Sequence, residues 1–430
     1  RSHFLLAAAL LAFGLPSQAC RPFGSYQFVE DADGGIWFTE GDNNAVSRLA
    51  LDGSVRAHVL PTRHAEPISI AIGRLGAVWF AESQGGKVGR LDADGRITEY
   101  PVAGHPSHVV VDRRGEAWFT QMSGRENAMA GGDSGHVHDG PALDAARIGR
   151  IDGGGRVHAY PLEQGWPTSV AVDGRERIWV TVLIPGGRTG EPSGRLMLLS
   201  RDGEWIEQSA WRGSCPGNLI ADGRGGLAYA DHCRGVFGQV GADGRIHERK
   251  LPEGVYVQQL SPAADGGFWF TGDSRSRLGR IDEEGRVSYL ERAENGDQTM
   301  AVLALANGDV VFSEFYNYNI NRLKPTGEYV EHLVAIDQRQ DSRELRQGEV
   351  CYVQFATRIA AKAEMDRRRA DEVKNGRFKP DGAGTEKLVA QKCLLCHDAR
   401  RLLLSRRSAW TPSLTHLHAY RRLRRAQALT

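Results

Sequence analysis

Between residues 24 and 335 short apolar or alternating runs are separated by Asp-Gly and Gly-Gly pairs, and the whole pattern recurs. One unit reads Gly-Gly-apolar-Trp-Phe-Thr-Glu, then a polar stretch, then Val/Ile-Gly-Arg-Leu/Ile-Asp, then Asp-Gly-Arg-Ile-x-Glu-Tyr. Its anchor stands at Trp37-Phe38-Thr39-Glu40, Trp79-Phe80-Ala81-Glu82, Trp118-Phe119-Thr120-Gln121 and Trp179-Val180-Thr181. It returns in degenerate form at Ala228-Tyr229-Ala230-Asp231, then at Trp269-Phe270-Thr271-Gly272 and Val311-Phe312-Ser313-Glu314, which makes seven copies. Regular anchor spacings are 39 to 42 residues, stretched where loops are inserted. Period-two runs of this length, closed by tight-turn pairs, are strands and hairpins, four to a copy. Four strands repeated at this period predict a seven-bladed β-propeller over residues 20–335, in a chain that is mainly β.

Strands alternate in direction across a blade, so the start of the first strand and the end of the second share a rim. First-strand starts fall twelve residues before each anchor, at Ser25, Pro67, Pro106, Pro167, Pro216, Val257 and Thr299. Tyr26, Ile68, Ser107, Thr168, Gly217, Gln258 and Met300 come next around that mouth, and second-strand ends add Glu40, Glu82, Gln121, Asp231 and Glu314.

With Lys87-Val-Gly-Arg-Leu91, Arg147-Ile-Gly-Arg-Ile151 and Arg96-Ile-Thr-Glu-Tyr100, the repeat resembles the virginiamycin B lyase (streptogramin lyase) family of propellers. The resemblance implies a rim metal and a catalytic histidine, carried on Pro-His and Glu-Pro-His at the first-strand starts of the last blades. Here those slots read Val257-Gln258 and Gln298-Thr299-Met300, and the place of the family's metal-binding glutamate after the last anchor is Phe315. Tyr26 does match the family's first-blade tyrosine. The motifs therefore carry the fold further than the chemistry.

Two insertions sit on the same rim, residues 123–146 in blade 3 and 185–194 in blade 4. The first contains Asp133, His136, His138 and Asp139, which could ligate a divalent metal. A Gly-rich polar lid with solvated histidines is the favoured reading, because no third spaced ligand motif accompanies them. The register sets Cys215 before a first strand and Cys233 after the second strand of one blade, so a Cys215–Cys233 disulfide is expected. On the chain-entropy estimate such a loop is worth about 3 kcal/mol. Cys20 and Cys351 flank the propeller and could clasp its ends.

The helical remainder changes the picture. Residues 336–383 read as a polar linker followed by a helix over 352–373. From 384 to 430 the chain resembles a small α-helical cytochrome c domain, with a helix capped by Thr385 that leads into Cys393-Leu394-Leu395-Cys396-His397. This is the C-x-x-C-H signature of covalent haem c: two thiols to bond the vinyl groups, and His397 as proximal iron ligand. A redox dithiol or half of a zinc site is the competing reading. Arg406-Arg407-Ser408-x-Trp410 resembles the stretch that precedes the iron-binding methionine of such domains, but no methionine follows residue 365. His416 or His418 is then the expected distal ligand.

Export fits covalent haem. The apolar run 4–15 ends in Ser17-Gln18-Ala19, as in a signal peptide over residues 1–19, and no other run is long enough to span a bilayer. Net charge is +1 over 430 residues, so nothing favours a nucleic-acid partner. Taken together, these features point to a periplasmic haem protein in electron transfer, its propeller mouth binding a redox partner or an oxidisable small molecule. The alternative is a metal-dependent C–O lyase of the streptogramin lyase type with an accessory haem domain.

Overall fold

The computed structural model describes residues 27–333 apart from 42, 74, 123–145, 187–189, 273–277, 291–298 and 315–318. The chain divides into two compact units, Arg1–Gln338 and Arg339–Thr430, and the second lies outside the described residues. Among the described residues of the first unit, 28 strands make seven four-stranded antiparallel sheets, each taking its strands in sequence order. The blades span 28–59, 67–101, 105–161, 166–212, 216–250, 259–289 and 299–333. This is the mainly β, seven-bladed architecture that the repeat predicts.

Two packing rules explain the repeated motifs. The anchor aromatic on the second strand lies directly opposite the glycine of Val/Ile-Gly-Arg on the third, as Phe80 faces Gly89, Phe119 Gly149, Tyr229 Gly238 and Phe270 Gly279. At each of these four glycines a β-carbon would stand 2.1 Å from a ring atom, so the ring occupies the space a side chain would need. Blade 4 inverts the pair: Val180 replaces the aromatic, Met197 replaces the glycine, and the two face each other. The volume is kept and its donor strand changes.

The second rule concerns an aspartate six residues before the anchor tryptophan. Asp31, Asp112 and Asp173 accept the indole N–H of Trp37, Trp118 and Trp179 at 3.0, 3.1 and 2.9 Å. The same Oδ2 atoms accept from Arg48, Arg201 and Arg177, each at 2.6 Å, while Oδ1 caps the turn through backbone N–H groups. Burial works against ionisation of these carboxyls, yet the hydrogen bonds and arginines hold all three below the ordinary aspartate range. Blade 2 has Gly73 here, its β-carbon position 3.7 Å from Trp79 Nε1.

First strands are the innermost ones, and each touches the first strands of both neighbouring blades, including blade 7 against blade 1. In blades 1 to 5 the residue ten before the anchor carries a polar side chain that reaches into the next blade, whereas blade 7 has Ala301 there. Gln27 Oε1 accepts Ile70 N–H at 3.1 Å, Ser69 Oγ accepts Val109 N–H at 3.0 Å, and His108 Nδ1 accepts Val170 N–H at 3.3 Å. Ser169 Oγ accepts Leu219 N–H at 3.2 Å, and Asn218 Oδ1 accepts Leu260 N–H at 3.0 Å. The ring closes without strand exchange. Phe28, Phe38 and Leu49 of blade 1 share a core with Leu305, Val311 and Ile320 of blade 7, and Glu30 accepts Ala306 N–H at 2.9 Å.

Candidate functional site

Strand pairing creates the mouth. Pro67 pairs with Glu82, Pro106 with Gln121, Pro167 with Val182, Pro216 with Asp231 and Thr299 with Glu314, so first-strand starts and second-strand ends stand side by side. In these five blades the register slips just inside the mouth, leaving unpaired positions around Ile68, Ser107, Thr168, Asn218 and Met300. A bulge of this kind re-aims side chains at the rim. Blade 6 has no bulge; its first strand starts at Gln259, and Gln258 N–H extends the pairing to Thr271 O at 2.6 Å.

Two of the described carboxylates of the mouth are committed to structure. Asp231 is fully buried and accepts Ser214 Oγ–H at 2.5 Å and Cys215 N–H at 3.0 Å. Glu40 is buried, which raises its pKa, and it accepts Asn43 Nδ2–H at 2.5 Å. Glu82 differs: it is 0% exposed, and among the described residues neither carboxyl oxygen has a hydrogen-bond partner. Burial, reinforced by Glu99 and opposed by Lys87, pushes its carboxyl up to about 8, so it is largely a neutral acid at pH 7. Lys87 is held by Glu99 at 2.6 Å.

At the two slots of the last blades, Val257 is 5% exposed, Thr299 1% and Met300 8%. Val257 has no donor atom, Met300 offers only a soft thioether and Thr299 a single neutral hydroxyl, so the three give no carboxylate or imidazole ligand for a hard divalent ion. Among the described residues a single group of three close metal-type donors exists, Cys215, His232 and Cys233, with the two cysteines joined in a disulfide whose Cα atoms are 5.2 Å apart. His105 and His108, on the rim of blade 3, are engaged by the backbone: Nδ1 of His105 lies 2.8 Å from Ser83 O, and burial lowers the His108 pKa to about 4.

The blade 4 insertion lengthens the hairpin. Its second and third strands run Ile178–Ile184 and Ser193–Leu199, and Gly190 N–H reaches Gly186 O at 2.9 Å. Ser25, Tyr26, Phe315 and the blade 3 histidines His136 and His138 lie outside the described residues. So do Cys20 and Cys351, and the haem-site set Cys393, Cys396, His397, His416 and His418. Away from the mouth, a groove between blades 1 and 2 is lined by Trp37, Arg48, Arg56, His58, Asp92 and Asp94. The residues that repeat counting did not foresee are the inter-blade side chains and Glu82. The former have a fixed spacing from the anchor but no fixed chemistry, and Glu82 shares its Trp-Phe-x-Glu setting with Glu40.

The family model described as Virginiamycin B lyase family matches residues 6–139. A Virginiamycin B lyase of Nocardia farcinica (strain IFM 10152) is 33% identical over 290 residues, covering 67% of this chain and 76% of that protein. Among solved structures, virginiamycin B lyase from Staphylococcus aureus superposes with a TM-score of 0.55 at 21% identity, over 68% of this chain and 92% of that one. Kuenenia stuttgartiensis Hydrazine Synthase does so with a TM-score of 0.55 at 12% identity, over 75% and 99%. At those identities the two structures speak for the fold alone.

Proposed function

This chain belongs to the virginiamycin B lyase family, and from that premise we propose that its strand-start mouth recognises a molecule of the class those lyases act on, a streptogramin-type antibiotic. The observation that carries this reading is identity of 33% to a Virginiamycin B lyase over 290 residues, 76% of that protein. The rim chemistry restricts the fate of a bound molecule. A metal-dependent C–O elimination needs oxygen or imidazole donors converging on one ion. Val257 and Met300 supply no such donor and Thr299 only one neutral hydroxyl, and the described mouth carboxylates stand on separate blades, two of them tied into local hydrogen bonds. The family metal therefore does not fit the described residues, and the function proposed is recognition without metal-dependent elimination.

Calorimetric titration of a streptogramin B into the protein with magnesium present, with chromatography of the antibiotic afterwards, tests this reading. Saturable binding with the antibiotic recovered intact is expected. Magnesium-stimulated ring opening would restore the lyase, and absence of binding would sink the recognition reading.

A second reading is favoured by the run Cys393-Leu394-Leu395-Cys396-His397. On it, an exported chain carries one covalent haem c, with His397 as proximal ligand and His416 or His418 as distal ligand. The propeller then docks a periplasmic redox partner or an oxidisable small molecule. Visible spectra of protein exported with haem-maturation machinery test it. Sharp reduced c-type bands, unmoved by carbon monoxide, are expected, and a protein without covalent haem would end it.

A further inference from the structure

Cys215 precedes the first strand of blade 5 (Pro216–Ala221), and His232 and Cys233 come directly after its second strand (Leu227–Asp231). Pairing of Pro216 with Asp231 brings these two chain ends together at the mouth. The sulfurs of Cys215 and Cys233 and a ring nitrogen of His232 all lie within 4.8 Å of one another. Cys215 is buried at 8% exposure, whereas His232 and Cys233 are exposed. The His232 ring is held edge-on against Tyr256, with centroids 5.3 Å apart, so its orientation is fixed by packing.

We propose that this corner of blade 5 is a redox-gated zinc site, closed while Cys215 and Cys233 are bonded and opened when a dithiol reduces them. The geometry matches the ion. Zinc bound to thiolate at about 2.3 Å and to imidazole at about 2.0 Å holds tetrahedral donors roughly 3.6 to 3.8 Å apart. The His232 ring nitrogen lies within 4.8 Å of both sulfurs, and once reduced the two sulfurs part from bonding distance toward that separation. Their fixed Cα separation of 5.2 Å places both side chains on one side of a shared corner. Three protein ligands leave a fourth position to water or to an incoming donor, the pattern of reactive zinc rather than structural zinc.

Opening the site is a two-electron reduction. A thiolate of the dithiol attacks the exposed Cys233 sulfur, the Cys215–Cys233 bond breaks, and Cys215 leaves as thiolate. The second thiol of the reductant then displaces Cys233, so the reductant departs as its own disulfide. Two electrons and two protons have passed to the cysteines, and zinc binding releases the two protons.

The full chain, reduced on an immobilised dithiol resin and separated from it, is titrated with cobalt(II) as an optical stand-in for zinc. Compared with His232→Ala treated identically, it is expected to show one additional equivalent of cobalt with thiolate charge-transfer and tetrahedral bands, reversed by zinc. The variant is expected to lose this signal or to bind it at least ten-fold more weakly, and its difference from wild type removes any contribution of Cys20, Cys351, Cys393 and Cys396. Equal binding by His232→Ala, equal binding by the oxidised protein, or no cobalt signal after reduction would each overturn the proposal. So would loss of the β-sheet circular dichroism on reduction, because the site requires the Pro216–Asp231 pairing.

Discussion

Gln27 and His108 do the same task in blades 1 and 3, each accepting a backbone N–H from the next blade, and their comparison isolates what an imidazole adds. An amide accepts at any pH, whereas His108 accepts at Nδ1 only while neutral, and burial lowers its pKa to about 4. The unfolded chain, with a histidine near 6.5, binds more protons than the folded one between these values. The neutral imidazole's contribution is therefore complete above pH 6.5 and is lost progressively as the pH falls toward 4. His108→Gln should flatten the pH dependence of stability across that window, by about 2 kcal/mol after allowance for partial exposure; urea denaturation at several pH values reads it. Glu82 has the opposite sign. Its carboxyl is pushed up to about 8, so its contribution is greatest below the ordinary glutamate range and is lost as the pH rises through 8. Glu82→Gln is expected to stabilise the protein, more at pH 8.5 than at pH 5.5, and an equal effect at both would show that the acid is ionised throughout.

Blades form because a bulky second-strand side chain and a small third-strand partner fill one space, with the order reversed at Val180 and Met197. Gly149→Met alone should destabilise by about 3 kcal/mol through overpacking against Phe119. Adding Phe119→Val, which copies blade 4, should recover at least half of that loss in thermal melts; a purely additive double variant would mean that the two positions are not one packing unit. This level was legible in the sequence because Trp-Phe and Val-Gly-Arg recur at fixed offsets, and the offset of twelve from the anchor located the rim. The inter-blade contacts were not, since Gln27, Ser69, His108, Ser169 and Asn218 fill one slot with four residue types. Their shared property is an acceptor atom at the right reach, which no single pattern of apolar and polar positions encodes. Glu82 was hidden for a different reason. It has the same Trp-Phe-x-Glu setting as Glu40, and only the partners around its carboxyl set it apart.

At the scale of the whole ring, Phe28 and Phe38 of blade 1, edge-on to each other at 6.3 Å, share one core across the seam with Val311 and Ile320 of blade 7. Phe28→Ala should cost about 3 kcal/mol and lower the midpoint of a single unfolding transition. A separate early transition confined to blade 1 would instead show that the seam is an independent, weaker unit.

Every blade is one uninterrupted stretch of chain, and blade 7 touches blade 1 through the same innermost strands that join the other neighbours, so the ring is continuous across its seam. Its ends can in principle be moved to another gap between blades without dividing a sheet. Gain or loss of one whole repeat would likewise leave each remaining sheet intact, and would alter only the curvature of the circle. A fold of this kind can change the width of its mouth by counting, and change what the mouth holds by substituting single residues at the bulges.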